Sequence, residues 1–258
     1  MDKNIFVKRN YNCDKMKDDF DRSISDIVKQ DYRTADVFKK HQLSFCCSGA
    51  MLLKPTCEAR GIDYELLSNE LQDSKRNLIL PNNLPFDEWK LDFLVDFITN
   101  IHHRYIYQVI PLLSTSLESF TLSHQVKYPE LIRVKELFAV LAGILQVHNK
   151  HEDEIIFPYI KQIDSAYRRK EPYGNLFVRT LRKPLYIVEK EHIQIQELLN
   201  GLKLATNGFT VPGKACLSYQ VLYKKLEEVY NNLIQHKFLE HNLLFPKAIA
   251  IEQKLLQL

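Results

Sequence analysis

The chain has 258 residues, 45% hydrophobic and 26% charged, with only 7 glycines; this is an ordinary globular balance with room for one large domain or two modest ones, and its many Leu, Ile, Lys and Glu favour helix. A net charge of +3 without a dense basic stripe argues against nucleic acid as a partner. No apolar run approaches the roughly 18–20 residues of a membrane span, and the charge-dense start, residues 1–22, is not a signal peptide. The five cysteines (13, 46, 47, 57 and 216) are odd in number and irregular in spacing, which suits reduced thiols in the cytoplasm better than a disulfide scaffold.

In chain order, residues 1–22 read as a polar N-terminal arm, and 23–73 as a small helical domain. Ser25 or Asp26 can cap a short helix through Val28, and Thr34 can start another running through Phe38 to His41. Residues 43–49 form a loop carrying Cys46 and Cys47. Pro55 suits a first helical position, Gly61 the residue that ends that helix, and Asp63 the cap of a further helix through Leu71. Residues 74–87, with Pro81, Asn82, Asn83 and Pro85, show no helical period and read as a linker. Residues 88–258 form the second unit, with helices expected near 88–110, 129–163, 176–203 and 215–240. The polar or Pro- and Gly-bearing pieces between them, 121–128, 168–174 and 205–213, are short, so neighbouring helices run antiparallel. The expected fold is all-α: a four-helix bundle preceded by a small helical domain.

The bundle region carries one motif twice. His148-x-x-x-Glu152 is followed by Phe157-Pro158, and His236-x-x-x-Glu240 by Phe245-Pro246, at the same intervals. His103 lies 45 residues before His148, and His192 lies 44 before His236. A His and a Glu four apart share one helix face. One such pair is usually a solvated surface pair; two copies with the same tail and an upstream His at matched distance are hard to produce by chance. The layout is that of two helical hairpins related by a pseudo-twofold, each giving two His and one Glu to a shared centre. Four His and two Glu are too many for one tetrahedral zinc, and mixed imidazole and carboxylate ligands fit iron, manganese or zinc. They suit two metals, each with two terminal His, bridged by the two carboxylates and an oxo or hydroxo group, with open positions for a diatomic or a peroxide.

Helical phase leaves the first ligand open between His102 and His103, because Val95, Ile98 and His102 share a stripe about as well as Thr99 and His103. His41, His124, His151 and His241 are expected at the surface or beside ligands. Glu191, next to His192, is a candidate proton carrier, ligand partner or extra ligand, with a surface role as the plain alternative. Pro158 and Pro246 are expected to kink or end their helices. Adjacent Cys46 and Cys47 cannot comfortably chelate one metal. Their loop favours exposed, reactive thiols, although two incidental thiols would look the same, and Gly49 would let the backbone turn. Cys13, Cys57 and Cys216 default to structural roles.

Residues 34–41, Thr-Ala-Asp-Val-Phe-Lys-Lys-His, followed by Phe45-Cys46-Cys47-Ser48-Gly49, resemble the N-terminal domain of the RIC ("repair of iron centres") proteins, which carry a Cys-Cys-Gly-Gly loop after a short helix. The second unit resembles their hemerythrin-like bundle, and the resemblance covers about 23–250. It implies a di-iron centre of two iron ions held by His103, His148, Glu152, His192, His236 and Glu240. Pro111, eight residues after His103, matches the family's spacing and favours His103 over His102. The family's glutamate before the third His matches Glu191. One departure is Ser48 in place of the first loop Gly, where Ser tolerates positive φ poorly.

The resemblance further implies a cytoplasmic protein that repairs iron–sulfur clusters damaged by nitric oxide or oxidative stress, giving iron from the carboxylate-bridged centre to damaged or apo iron–sulfur proteins. Cys46 and Cys47 would act as a thiol relay or docking element, and nitric oxide or oxygen species as small ligands. A homodimer is allowed. Two other readings use the same centre: a redox enzyme of nitric oxide reductase or peroxidase type, and a small-gas binding or sensing module. The Cys-Cys domain favours repair over gas binding, since a gas carrier has no need of it, but residues alone do not separate repair from redox catalysis.

Overall fold

The structure is a computed structural model that describes residues 22–46, 51–75, 84–171 and 182–257. Among these residues the regular structure is helical, apart from an isolated bridge between Ser23 and Leu52. None of the described helices is long and apolar enough to cross a membrane. The chain divides into two compact units, Met1–Ile79 with Gly213–Val221, and Leu80–Pro212 with Leu222–Leu258.

The first unit contains helices α1 (Ile24–Gln30), α2 (Thr34–Lys40), α3 (Leu53–Arg60) and α4 (Tyr64–Ser74). Ser23, rather than Ser25 or Asp26, caps α1: its Oγ accepts from the Asp26 N–H at 3.1 Å and donates to the Asp26 carboxylate at 2.7 Å. The earlier start lets Ile24 join Ile27 and Val28 on the buried face. In α3 Pro55 is the third residue rather than the first, and Gly61 ends the helix in the left-handed region at φ 63°. Asp63 caps α4 by accepting from the N–H groups of Glu65 and Leu66. Ile27, Phe38, Leu53 and Leu67, all at 0% exposure, form the core of this unit together with Val221. The expected linker lies only partly within the described residues: 76–83 fall outside them, while Phe86–Glu88 form one 3₁₀ turn, and Phe86 packs on Trp89 and Phe97.

The second unit is built on four long rods. The first joins α5 (Leu91–Phe97), a π turn (Ile98–His103) and α6 (Arg104–His124). The second joins α7 (Glu130–His151), a π turn (Glu152–Ile156) and α8 (Phe157–Arg169). The third is α9 (Arg182–Ala205); the fourth joins α10 (Leu217–Leu239), which belongs to this unit from Leu222 onward, a π turn (Glu240–Leu244) and α11 (Phe245–Leu256). All four rods run past their expected ends, the third by only two residues. The first continues through Pro111, because Leu113, Leu117 and Phe120 carry a buried stripe one turn at a time and outweigh the one backbone hydrogen bond that Pro removes. The second runs to Arg169 and the fourth to Leu256, burying Ile160, Ile163, Ala248 and Leu255 past the two prolines. The expected start of the third rod, 176–181, lies outside the described residues.

α7 packs against α6 and α9, and α8 against α5 and α11. Gly201 permits one close approach: a Cβ there would stand 3.3 Å from Leu137 Cδ1. At the end of the bundle that holds α5, α8 and α11, Leu94, Ile98, Ile156, Phe157, Leu239 and Phe245 form a dry core. His103, Glu152 and Glu240 lie at the π turns, His148 and His236 one turn before them, and His192 within α9.

Candidate metal centre

Each His-x-x-x-Glu pair ends an α-helical stretch, and a π turn starts at its Glu. The Phe157 N–H donates to the Glu152 carbonyl, five residues back, and the Phe245 N–H donates to the Glu240 carbonyl. The widened turn absorbs a register slip just before each proline. Pro158 and Pro246 then occupy the second position of the next α segment, where a missing N–H costs little. The prolines therefore neither end nor break the rods, contrary to expectation. A third π turn sits at His103, where the Arg104 N–H donates to the Thr99 carbonyl. Such turns rotate the side chains around them and recur at functional sites.

The four rods bring the six repeated residues together at 0–4% exposure. His103 Nε2 stands 3.0 Å from His236 Nε2, and His148 Nε2 stands 2.9 Å from His192 Nε2. Glu152 Oε2 lies 3.3 Å from His103 Nε2 and 3.4 Å from His148 Nε2. Glu240 Oε1 lies 2.7 Å from His236 Nε2, and its Oε2 lies 3.3 Å from His192 Nε2. Each carboxylate thus faces one imidazole from each pair. Two groups of four result, His103, Glu152, His236, Glu240 and His148, Glu152, His192, Glu240, with ligand atoms within 4.8 Å of one another and both carboxylates shared. His103, not His102, takes part.

These residues fit a pair of cations. Both Glu152 oxygens and Glu240 Oε2 have no hydrogen-bond partner although each residue is 0% exposed. A buried carboxylate left in that state costs several kcal/mol. The facing Nε2 atoms point lone pairs into the same small space, where one shared proton is the most a neutral pair can use. A cation between each pair would satisfy both features, and the nitrogen and oxygen donor set suits iron.

Residues on neighbouring rods orient the imidazoles through their other nitrogen. His103 Nδ1 bonds Asp153 Oδ1 at 2.8 Å, and Asp153 is itself held by the Tyr107 hydroxyl, which donates at 2.9 Å. His148 Nδ1 bonds Glu191 Oε2 at 2.8 Å, and His192 Nδ1 bonds His241 Nε2 at 2.7 Å. Such partners fix the tautomer and orientation of a metal-binding imidazole. Glu191 therefore supports His148 and belongs to neither group of four. Asp153 and Tyr107 were missed in sequence. The signal was present in the repeat: the residue after each Glu, Asp153 or His241, holds the first His of its hairpin.

Electrostatics follow from burial. Burial, and then the Glu152 charge, pushes the Glu240 carboxyl well above its usual range, so this group retains a proton in the metal-free site. Burial and the neighbouring His148 drive His192 down to about 2. Burial and the surrounding imidazoles drive His236 well down as well. For His103 burial acts downward, but the Asp153 hydrogen bond and Glu152 outweigh it and raise the group. His102, 1% exposed and stacked on His236 at 5.8 Å, is pushed down to about 4 by burial. Neutral imidazoles are the form that offers a lone pair to a metal.

Cys46 is half-buried in the first unit and belongs to neither group of four. Cys47, Ser48 and Gly49 lie outside the described residues, as does Cys13. Cys57 is buried in the core of the first unit.

Residues 98–248 match the Hemerythrin HHE cation binding domain, and residues 20–75 match ScdA_N, a domain of unknown function (DUF542). The chain is similar to proteins named iron-sulfur cluster repair protein YtfE from Edwardsiella ictaluri, 26% identical over 89% of this chain and 97% of that one, and from Escherichia coli, 25% identical over 90% and 98%. It is likewise 27% identical to a probable iron-sulfur cluster repair protein of Haemophilus influenzae, over 83% of this chain and 90% of that one. A small helical domain ahead of a bundle with paired His and Glu groups, matched along nearly its whole length, makes this chain a member of the hemerythrin HHE cation-binding family of di-iron proteins, in its RIC branch.

Proposed function

We propose that this protein repairs damaged iron–sulfur clusters by giving them iron. His103 with His236, and His148 with His192, would hold the two irons, with Glu152 and Glu240 as the carboxylates common to both groups. The carrying observation is the pair of buried four-residue groups that share both carboxylates, in a chain whose relatives are named for cluster repair. Iron bound there is a redox-active Lewis acid; it is also the cargo.

The chain's own residues account for retention and release. Near-complete burial excludes bulk water and any substrate larger than a small molecule. Asp153, Glu191 and His241 hold the imidazoles in place. Glu240 can carry a proton when the site empties, because burial and Glu152 favour its neutral carboxyl, and that proton offsets charge lost with the metal. Cys46 and Cys47 are the thiols to pass iron to the client. The clients are damaged or apo iron–sulfur proteins of the cytoplasm, and nitric oxide and oxygen species are the agents of damage and the candidate small ligands of the centre.

The test is anaerobic incubation of the reduced, iron-loaded protein with an apo-cluster enzyme, set beside steady-state consumption of nitric oxide. Reactivation accompanied by matching loss of iron from this protein is expected. Sustained nitric oxide turnover without reactivation would make it a redox enzyme instead. A Cys46→Ser, Cys47→Ser double variant is expected to keep its iron and lose most reactivation; loss of iron, or undiminished reactivation, would remove the thiols from the pathway.

A further inference from the structure

Cys216 was expected to be structural. It stands immediately before α10, whose 23 residues begin at Leu217, and its sulfur accepts from the backbone N–H groups of Ser218 and Tyr219. A sulfur in that position meets the positive end of a helix, the setting that favours thiolate chemistry. The Cys46 side chain lies within hydrogen-bonding contact of the Cys216 sulfur. Their surroundings agree with this contact: Cys46 and Leu217, the residue after Cys216, both pack on the same core, which also contains Val221 from the next turn of α10. Residues 46 and 216 belong to one compact unit although 170 positions separate them. Neither is in a disulfide, and both are half-buried, whereas Cys57 is buried.

We propose that Cys46 and Cys216 form a redox pair that closes a reversible disulfide by exchange with a small-molecule disulfide such as glutathione disulfide. The Cys216 sulfur, losing its proton, attacks one sulfur of glutathione disulfide; a mixed disulfide forms, and one glutathione leaves and takes up the proton. The Cys46 sulfur then attacks the Cys216 sulfur and displaces the second glutathione, which takes the second proton. The two cysteines lose two electrons in total, and glutathione disulfide becomes two glutathione thiols. Reduction by a dithiol runs the same steps backwards. Burial acts first to keep Cys216 protonated, the helix N–H groups act against it, and the Cys46 thiol adds to burial. Cys216 therefore rests as a thiol, and the pair responds to a shift in thiol–disulfide balance. Closure would take Cys46 out of use for iron transfer. The proposal rests on the contact between the two sulfurs and stands whether or not the protein donates iron.

The test uses the full-length, iron-loaded protein, equilibrated anaerobically with glutathione–glutathione disulfide mixtures, then alkylated, digested and mapped by mass spectrometry. Tryptic cleavage leaves Cys46, Cys47 and Cys57 in one peptide, 41–60, and Cys216 in another, 215–224, so fragment ions and a Cys47→Ser variant assign the sulfur. The expected result is loss of two of the five thiols, a 46–216 cross-link that persists in Cys47→Ser and Cys57→Ser, and its full reversal by dithiothreitol. Cys46→Ser or Cys216→Ser should instead leave a lasting glutathione adduct on the remaining partner. A Cys46–Cys47 bond, a 47–216 bond, stable glutathione adducts on both cysteines of the wild type, or five unchanged thiols would each overturn the proposal.

Discussion

Glu152 and Glu240 each face imidazoles from both groups, so each is committed to both halves of the site. Replacing either with Ala should cost most of the bound iron. His151→Ala, on a half-buried residue outside both groups, should cost little, and His241→Ala should fall between, since losing an imidazole's partner weakens metal affinity about 10–100-fold. In the same series His103→Ala should behave like the Glu variants and His102→Ala should not. Iron content by elemental analysis decides, and equal retention across the set would remove the assignment. Protonation gives a second residue-scale expectation. An unfolded imidazole protonates near 6.5, whereas folded His192 does so only at about 2. The folded, metal-free state therefore binds fewer protons in that window, and stability is lost as pH falls through it. His102, His236 and His241 are shifted the same way by burial; His103 and Glu240 are shifted up and oppose. With four groups against two, thermal melts of chelator-treated protein should show a midpoint that drops on acidification below about pH 6.5. A midpoint that rises would contradict this balance.

At the scale of elements, the sequence was legible where a signal was local and chemical. The repeat placed the six candidate ligands on helices, and Gly61 and Asp63 marked a helix end and a helix start that the structure keeps. Rod lengths are not legible in this way, because a proline inside a helical pattern ordinarily marks a break. Pro158 and Pro246 follow π turns that absorb their missing N–H, and Pro111 sits in a helix held by its buried stripe. The interval from Glu to Phe-Pro was itself the signature of the π turn, visible only once the five-residue hydrogen bond is known. Ser23 took the cap from Ser25 and Asp26 because burial of Ile24 moved the helix start. Gly61 supplies a test: a Cβ there meets nothing within 4 Å, yet φ is +63°. Gly61→Ala should therefore lower stability by about 1 kcal/mol through backbone strain alone. Denaturant unfolding measures it, and an unchanged or raised midpoint would refute the strain.

For the molecule as a whole, periodicity and connection length were enough to indicate an all-α chain with a bundle after a small helical domain. They could not show that Gly213–Val221 joins the first unit, because that depends on a contact between distant segments rather than on any local pattern. The same kind of information was missing for Cys216, which gains a partner only in three dimensions. The support residues Asp153 and Tyr107 were hidden likewise: their chemistry is set by what lies across the bundle. The site's function rests on its being double. Two groups of four that share both carboxylates hold two metals or fail as a design, since one metal would leave a pair of imidazoles and much of the buried carboxylate charge unsatisfied. The most direct measurement is the iron-to-chain ratio of protein produced with ample iron and purified without oxygen. Close to two irons per chain are expected, both lost together in Glu240→Ala. A ratio of one, or a site filled by zinc alone, would contradict it.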